Sequence, residues 1–153
     1  MAPASDSSPD PSTQVLDDVS YAGFWKRFAA SLIDGVISVV GGFILGIAYG
    51  FTLGTDAGAE LFGQVFGVLL GWIYFAGFES SGYQATVGKH VLNVRVTDEA
   101  GRRVSFARAT GRHFGKILST LTLFIGYLMA GFTEKKQALH DKLAGCLVTN
   151  DPA

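Results

Sequence analysis

One stretch of the chain places charged and hydroxyl side chains where they can do ionic chemistry. Arg27, Ser31, Asp34 and Ser38 recur at i, i+4, i+7 and i+11, so on an α-helix they share one face, while Phe28, Ala29, Leu32, Ile33, Val36 and Ile37 cover most of the rest. A carboxylate at membrane depth costs about 2.5–3.5 kcal/mol unless it is paired, hydrated or protonated. Asp34 therefore needs a partner. Arg27 lies two turns away, roughly 10.5 Å along the axis, which is far for a direct pair within one helix. The segment Leu139-His140-Asp141 offers a second carboxylate, with a histidine beside it that can relay a proton. The expectation is a shared site of Arg27, Asp34 and Asp141, with Ser31, Ser38, His140 and Lys89 as secondary candidates. Such a site has two readings. A buried ion cluster locks helices together and is costly to break. Alternatively, two carboxylates sharing one arginine leave net negative charge, and desolvation raises a carboxylate's pKa, so one of them can exchange a proton for a cation.

The elements that must position these residues are largely apolar. The 153 residues are 48% hydrophobic and 16% charged with net charge −1, and the mean hydropathy is +0.32. This is too apolar for an average soluble domain and fits one small multi-pass membrane domain. Residues 1–20 are rich in Pro, Ser and Asp and read as a disordered acidic tail, 21–149 as the membrane domain, and 150–153 as a short C-terminal tail. The first apolar run, Phe28 to Leu53, is long enough to cross a bilayer. Ser38, Gly42, Gly46 and Gly50 line one of its faces, and Gly63, Gly67 and Gly71 do the same in the second run, Leu61 to Phe78. Small residues let helices approach closely in lipid, so two facing stripes predict a tight helical hairpin or an oligomer contact.

Glu79 marks the end of the second run, and Ser80 to Lys89 is a polar return. From His90 the pattern alternates, which fits a short strand, and Asp98 to Gly101 supplies a turn that would close a β-hairpin through Arg102 to Val104. Ser105 can cap the next helix. There Arg108, Arg112 and Lys116 form a ladder at i+4, opposite a stripe led by Phe106. This is the pattern of an amphipathic helix lying on anionic headgroups; a basic loop that only sets topology reads equally well. The third apolar run, Ile117 to Phe132, reaches only about 24 Å. Either it crosses with Lys116 and Lys135 snorkelling, or it breaks near Gly126 and returns as a re-entrant hairpin. The C-terminal segment then forms a helical turn ending at Gly145.

Lys and Arg crowd the centre, which predicts a cytoplasmic N-terminus and central loop in a cell-membrane protein. The fold class is an all-α membrane protein: three apolar helices, the third short and crossing or re-entrant, with a cytoplasmic amphipathic helix and a short β-hairpin. Cys146 is the single cysteine, and His90, His113 and His140 lack paired spacing with it, so neither a metal site nor a cofactor is expected. No nucleophile motif, phosphate loop or nucleotide fingerprint appears, so the expectation is no enzyme. The basic loop fits lipid headgroups better than nucleic acid, and a homo-oligomer or a partner membrane protein is expected.

Three separated motifs in order resemble the RDD family of small membrane proteins. Arg27, Ala30 and Asp34 match its first-helix pattern; Gln84, Thr86, Gly88, Lys89 and Val94 to Val96 match the loop; Leu139-His140-Asp141 with Ala144-Gly145 match the last. His90 and Cys146 stand where a basic residue and threonine are usual. The resemblance implies a small multi-pass membrane fold. It also implies ion or solute transport, cation/proton exchange being attributed to some members.

Overall fold

All four prolines, Pro3, Pro9, Pro11 and Pro152, lie near the chain ends, so nothing in the apolar runs removes a helical N–H. The computed structural model describes residues 20–53, 56–122 and 125–150. Its order is α1 (Phe24–Leu53), α2 (Ala57–Ser80), α3 (Val87–Val91), β1 (Val94–Asp98), α4 (Phe106–Leu121), α5 (Ile125–Phe132), α6 (Leu139–Leu143) and β2 (Cys146–Asn150). The expectation of a disordered acidic tail falls almost wholly outside the described residues.

The first two helices are long and apolar enough to cross a membrane, with mean hydropathy 2.0 over Phe24–Thr52 and 1.7 over Gly58–Ser80. Large apolar side chains point outward along both: Val39 is 72% exposed and Val68 71%. Such a surface is stable only against lipid or another apolar face. Asp56 caps α2, accepting from the Ala59 N–H at 2.7 Å. The Tyr49 hydroxyl donates to the Ala59 carbonyl at 2.6 Å, tying the two helices near their linker.

The glycine stripes do not meet. A Cβ placed on Gly42, Gly46, Gly50, Gly67 or Gly71 would touch nothing within 4 Å, and Gly63 faces the Tyr49 ring. The bulky ring at the linker end holds the backbones apart, so the tight hairpin expected from the stripes is corrected to a loose one.

The β-hairpin expectation is also corrected. Of the predicted pairing, one isolated bridge between Thr97 and Arg103 forms. The partner of β1 is β2, antiparallel, with Val94 opposite Asn150, Val96 opposite Val148 and Asp98 opposite Cys146. The strand starts later than the alternation from His90 implied, because residues 87–91 coil into α3 and Asn93 turns the chain at φ 51°. Ala22, Ala76, Val94, Val96, Val104, Ala109, Cys146 and Val148 form a small buried core against this sheet, flanked by Trp72 and Leu92. The entry to α1 joins its free edge: Ala22 N–H donates to the Val148 carbonyl at 2.9 Å and Asn150 N–H to the Ser20 carbonyl at 2.7 Å.

Ser105 caps α4 as expected, accepting from the Arg108 N–H at 3.3 Å. The third apolar run is broken. The axes of α4 and α5 lie 104° apart. At the start of α5, a Cβ on Gly126 would meet Ser119 Oγ at 2.6 Å, so the absent side chain lets α5 fold back on α4.

Candidate functional site

Asp34 comes from the inward face of α1 and is 2% exposed. The Thr86 hydroxyl donates to Oδ2 at 2.5 Å, while the Gly88 N–H and the Tyr74 hydroxyl donate to Oδ1 at 2.8 and 3.0 Å. The contact requires glycine. A Cβ on Gly88 would lie 2.2 Å from the Ala30 carbonyl oxygen and 3.0 Å from Asp34 Cγ, so α3 docks on α1 backbone to backbone. Ala30 itself is fully buried there. Among the described residues Asp34 takes hydroxyl and N–H donors and forms no ion pair.

Asp141 lies in a second constellation. One oxygen, Oδ2, takes Arg27 Nη1 and the Ala138 N–H, the latter at 3.1 Å; the other, Oδ1, takes Arg112 Nε at 2.7 Å. Arg27 also donates Nε to the Ala22 carbonyl at 2.9 Å, which fixes its guanidinium beside the entry to α1. Arg112 turns its other edge to Glu79, with Nη1 2.8 Å from Oε2. Glu79 Oε1 in turn pairs with Lys89 and, at 3.3 Å, with Lys116. The chain Arg27–Asp141–Arg112–Glu79–Lys89 thus ties α1, α6, α4, α2 and α3 together. The expected convergence therefore divides: Arg27 meets Asp141, and Asp34 stands in its own nest. The geometric reason is that Asp34 lies seven positions beyond Arg27 on the helix while Gly88 occupies the approach to Asp34.

Glu79 and Arg112 are the members that sequence reasoning missed. Glu79 reads locally as a boundary residue, and Arg112 as one rung of a headgroup ladder. Arg112 is instead 2% exposed and faces inward, which corrects the expectation that it contacts lipid headgroups. The signal was present: Glu79 is an acid closing a run of uncharged residues, on the side where cations crowd.

Electrostatics outside the long helices follow from burial. Burial pushes the Asp141 carboxyl up, but the guanidiniums of Arg112 and Arg27 outweigh it and hold it well below the usual carboxylate range. Burial pushes His140 down to about 3, with Asp141 opposing and Arg112, Lys116 and Lys89 reinforcing, so its imidazole is neutral. Its Nδ1 is 3.2 Å from Ser119 Oγ, and its Cβ lies 3.0 Å from the position of a Gly115 Cβ. Burial also pushes the Lys89 ammonium down to about 7, against the pull of Glu79.

A cavity of about 460 Å³ opens over this cluster. Arg27, Lys89, Arg112 and Lys116 line it together with one carboxylate, Asp34, and its apolar walls include Phe28, Phe75 and Leu128. Ser31 lines it too, donating to the Arg27 carbonyl at 2.9 Å. His140 also faces it, whereas Ser38 is exposed on α1 outside the lining. Arg108 remains half exposed, 3.9 Å from Asp98.

The RDD family profile matches residues 21–145. Two relatives come from Bacillus subtilis (strain 168). The uncharacterized protein YxaI is 34% identical over 138 residues, covering 78% of this chain and 91% of the relative. The uncharacterized membrane protein YteJ is 29% identical over 141 residues, covering 86% and 82%. No solved structure matches. The chain belongs to the RDD family.

Proposed function

We propose that this member of the RDD family is a multi-pass cell-membrane protein that moves a small ion or polar solute, with the lined cavity as its binding step. The observation that supports this most is the cavity itself, where charged side chains from several helices share one space with apolar walls. Charged groups at membrane depth commonly mark ion or proton paths. Within that reading the residues divide the work. Asp141 and Glu79 are neutralised by fixed cations and hold the frame. Asp34 lines the cavity and, among the described residues, forms no ion pair, so it is the carboxylate at which a proton and a cation exchange.

Orientation belongs to the same proposal. Asn150 N–H donates to the Ser20 carbonyl, which supports putting the entry to α1 and the last strand on one face of the membrane. With α1 and α2 as crossings, the bent α4–α5 pair returns to that face, which also carries Arg95, Arg102, Arg103 and Arg108. By the positive-inside bias that face is cytoplasmic, and α4 lies along it as the amphipathic helix. The open glycine face of α1 leaves room for a second copy or a partner membrane protein.

A second reading is a non-transporting scaffold in which the charges only fix the fold. The saturated carboxylates favour it, since Asp34 has three donors and Glu79 three cations. Flux measurement separates the two. Purified protein in liposomes should dissipate an imposed sodium, lithium, potassium or proton gradient, and Asp34→Asn should abolish this while still inserting and running as a monodisperse species. Absence of flux under every gradient would leave the scaffold reading standing.

A further inference from the structure

Among the described residues the cavity lining is lopsided, with Arg27, Lys89, Arg112 and Lys116 against one carboxylate, Asp34. Glu79 and Asp141 pair with all four of these cations but leave guanidinium donors unspent. Arg27 uses Nε and Nη1, but its buried Nη2 has no hydrogen-bond partner. Lys116 reaches Glu79 at 3.3 Å and lies over the Phe75 ring at 4.7 Å, and its ammonium carries three donors. A guanidinium with an unspent donor that lines the same cavity as a second cation suits an anionic oxygen group, because Arg presents planar N–H donors to phosphate or carboxylate. The rest of the space is apolar, and its volume falls in the range of ligand sites.

We propose that this cavity binds the anionic headgroup of a membrane lipid, the head on Arg27 and Lys116 and the first part of the acyl chain against Phe28, Phe75 and Leu128. The lipid comes to an inward-facing site and not to the outer face of α4. It is attracted by charge complementarity and retained by the apolar wall, so both halves of an amphiphile are needed. The seated anion also offsets the fixed positive charge that a cation approaching Asp34 would otherwise meet. The site goes beyond the transport reading and does not depend on it.

The test is titration of the full chain, purified in a neutral maltoside detergent, with dodecyl phosphate, dodecylphosphocholine and inorganic phosphate, read by isothermal calorimetry and by the shift in thermal midpoint. Dodecyl phosphate should bind saturably and raise the midpoint. Arg27→Gln should weaken it at least tenfold. Because Arg27 also helps hold the fold, Leu128→Trp serves as a second variant that narrows the cavity without touching the ion network, and it should weaken binding by a similar factor. Arg108→Gln, outside the cavity, should leave affinity unchanged. The proposal is overturned if inorganic phosphate binds as tightly, if the zwitterionic amphiphile does so, or if Arg108→Gln weakens binding as much as Arg27→Gln. Loss of lipid binding with flux intact would sink this site alone, and binding without flux would sink the transport reading alone.

Discussion

Asp141 receives two guanidiniums and a backbone N–H while fully buried, so its loss strands two cations away from water. Removing one member of such a buried network costs about 3–5 kcal/mol. Asp141→Asn should lower stability by that order, seen as a large fall in thermal midpoint, whereas Arg108→Gln at the half-exposed pair with Asp98 should change it by less than about 1 kcal/mol. Equal effects would mean that the network does not hold the fold. His140 adds a pH dependence. Its folded pKa near 3 lies below the ordinary 6.5, so the unfolded chain takes a proton that the folded chain refuses. Stability from this group is complete above pH 6.5 and falls toward pH 3, at up to about 1.4 kcal/mol per pH unit. His140→Gln should flatten the fall between pH 6.5 and 5; an unchanged slope would assign it to other groups. Spacing alone made Arg27 and Asp34 visible, since apolar neighbours advertise a charge. Asp141, the partner of Arg27, was legible too, but those of Asp34 were not: Thr86, Gly88 and Tyr74 are ordinary residues whose roles appear only once three elements pack.

At the level of elements, local pattern carried furthest where one segment decides its own structure. The two long helices, the Ser105 cap and the turn ending at Gly145 were all readable, because hydropathy, capping and a positive φ at glycine are properties of neighbouring residues. Pairing between distant segments was not. The alternation before Asp98 pointed to a local hairpin, yet β1 pairs with residues about fifty positions later, where a five-residue strand leaves little periodic signal. The glycine stripes were equally silent about Tyr49, whose ring decides how closely α1 and α2 approach. Gly88 and Gly126 mark the approaches that do require glycine. Gly88→Ala should undock α3 from Ala30 and Asp34, since the Ala30 carbonyl oxygen would lie 2.2 Å from the new methyl. The expected result is several kcal/mol of destabilisation and proteolytic cleavage between residues 80 and 93. Gly82→Ala, with open space around it, should leave both unchanged. Matching behaviour of the two variants would contradict the docked arrangement.

For the whole molecule, two long helices present apolar surface outward while the buried ion-pair network gathers at the end remote from their linker. The short α3, the bent α4–α5 pair and α6 close over that end, and the antiparallel strands clasp the entry to α1. The result is a cavity with charged and apolar lining at one end of two long apolar helices. The proposed transport reading depends on one property above all: water must reach the cavity from the face that carries the entry to α1 and β2. Ser31 lines the cavity and Ser38, two turns further along α1, lies on the outer surface. With buried Cys146 replaced by alanine, Ser31→Cys and Ser38→Cys can be compared in oriented membranes using a membrane-impermeant, charged thiol reagent. The account predicts rapid labelling of the Ser31→Cys variant from the face carrying Arg95 and Arg108, slowed by dodecyl phosphate, and little labelling of the Ser38→Cys variant from either side. Equal labelling at the two positions, or none at Ser31→Cys from that face, would contradict it.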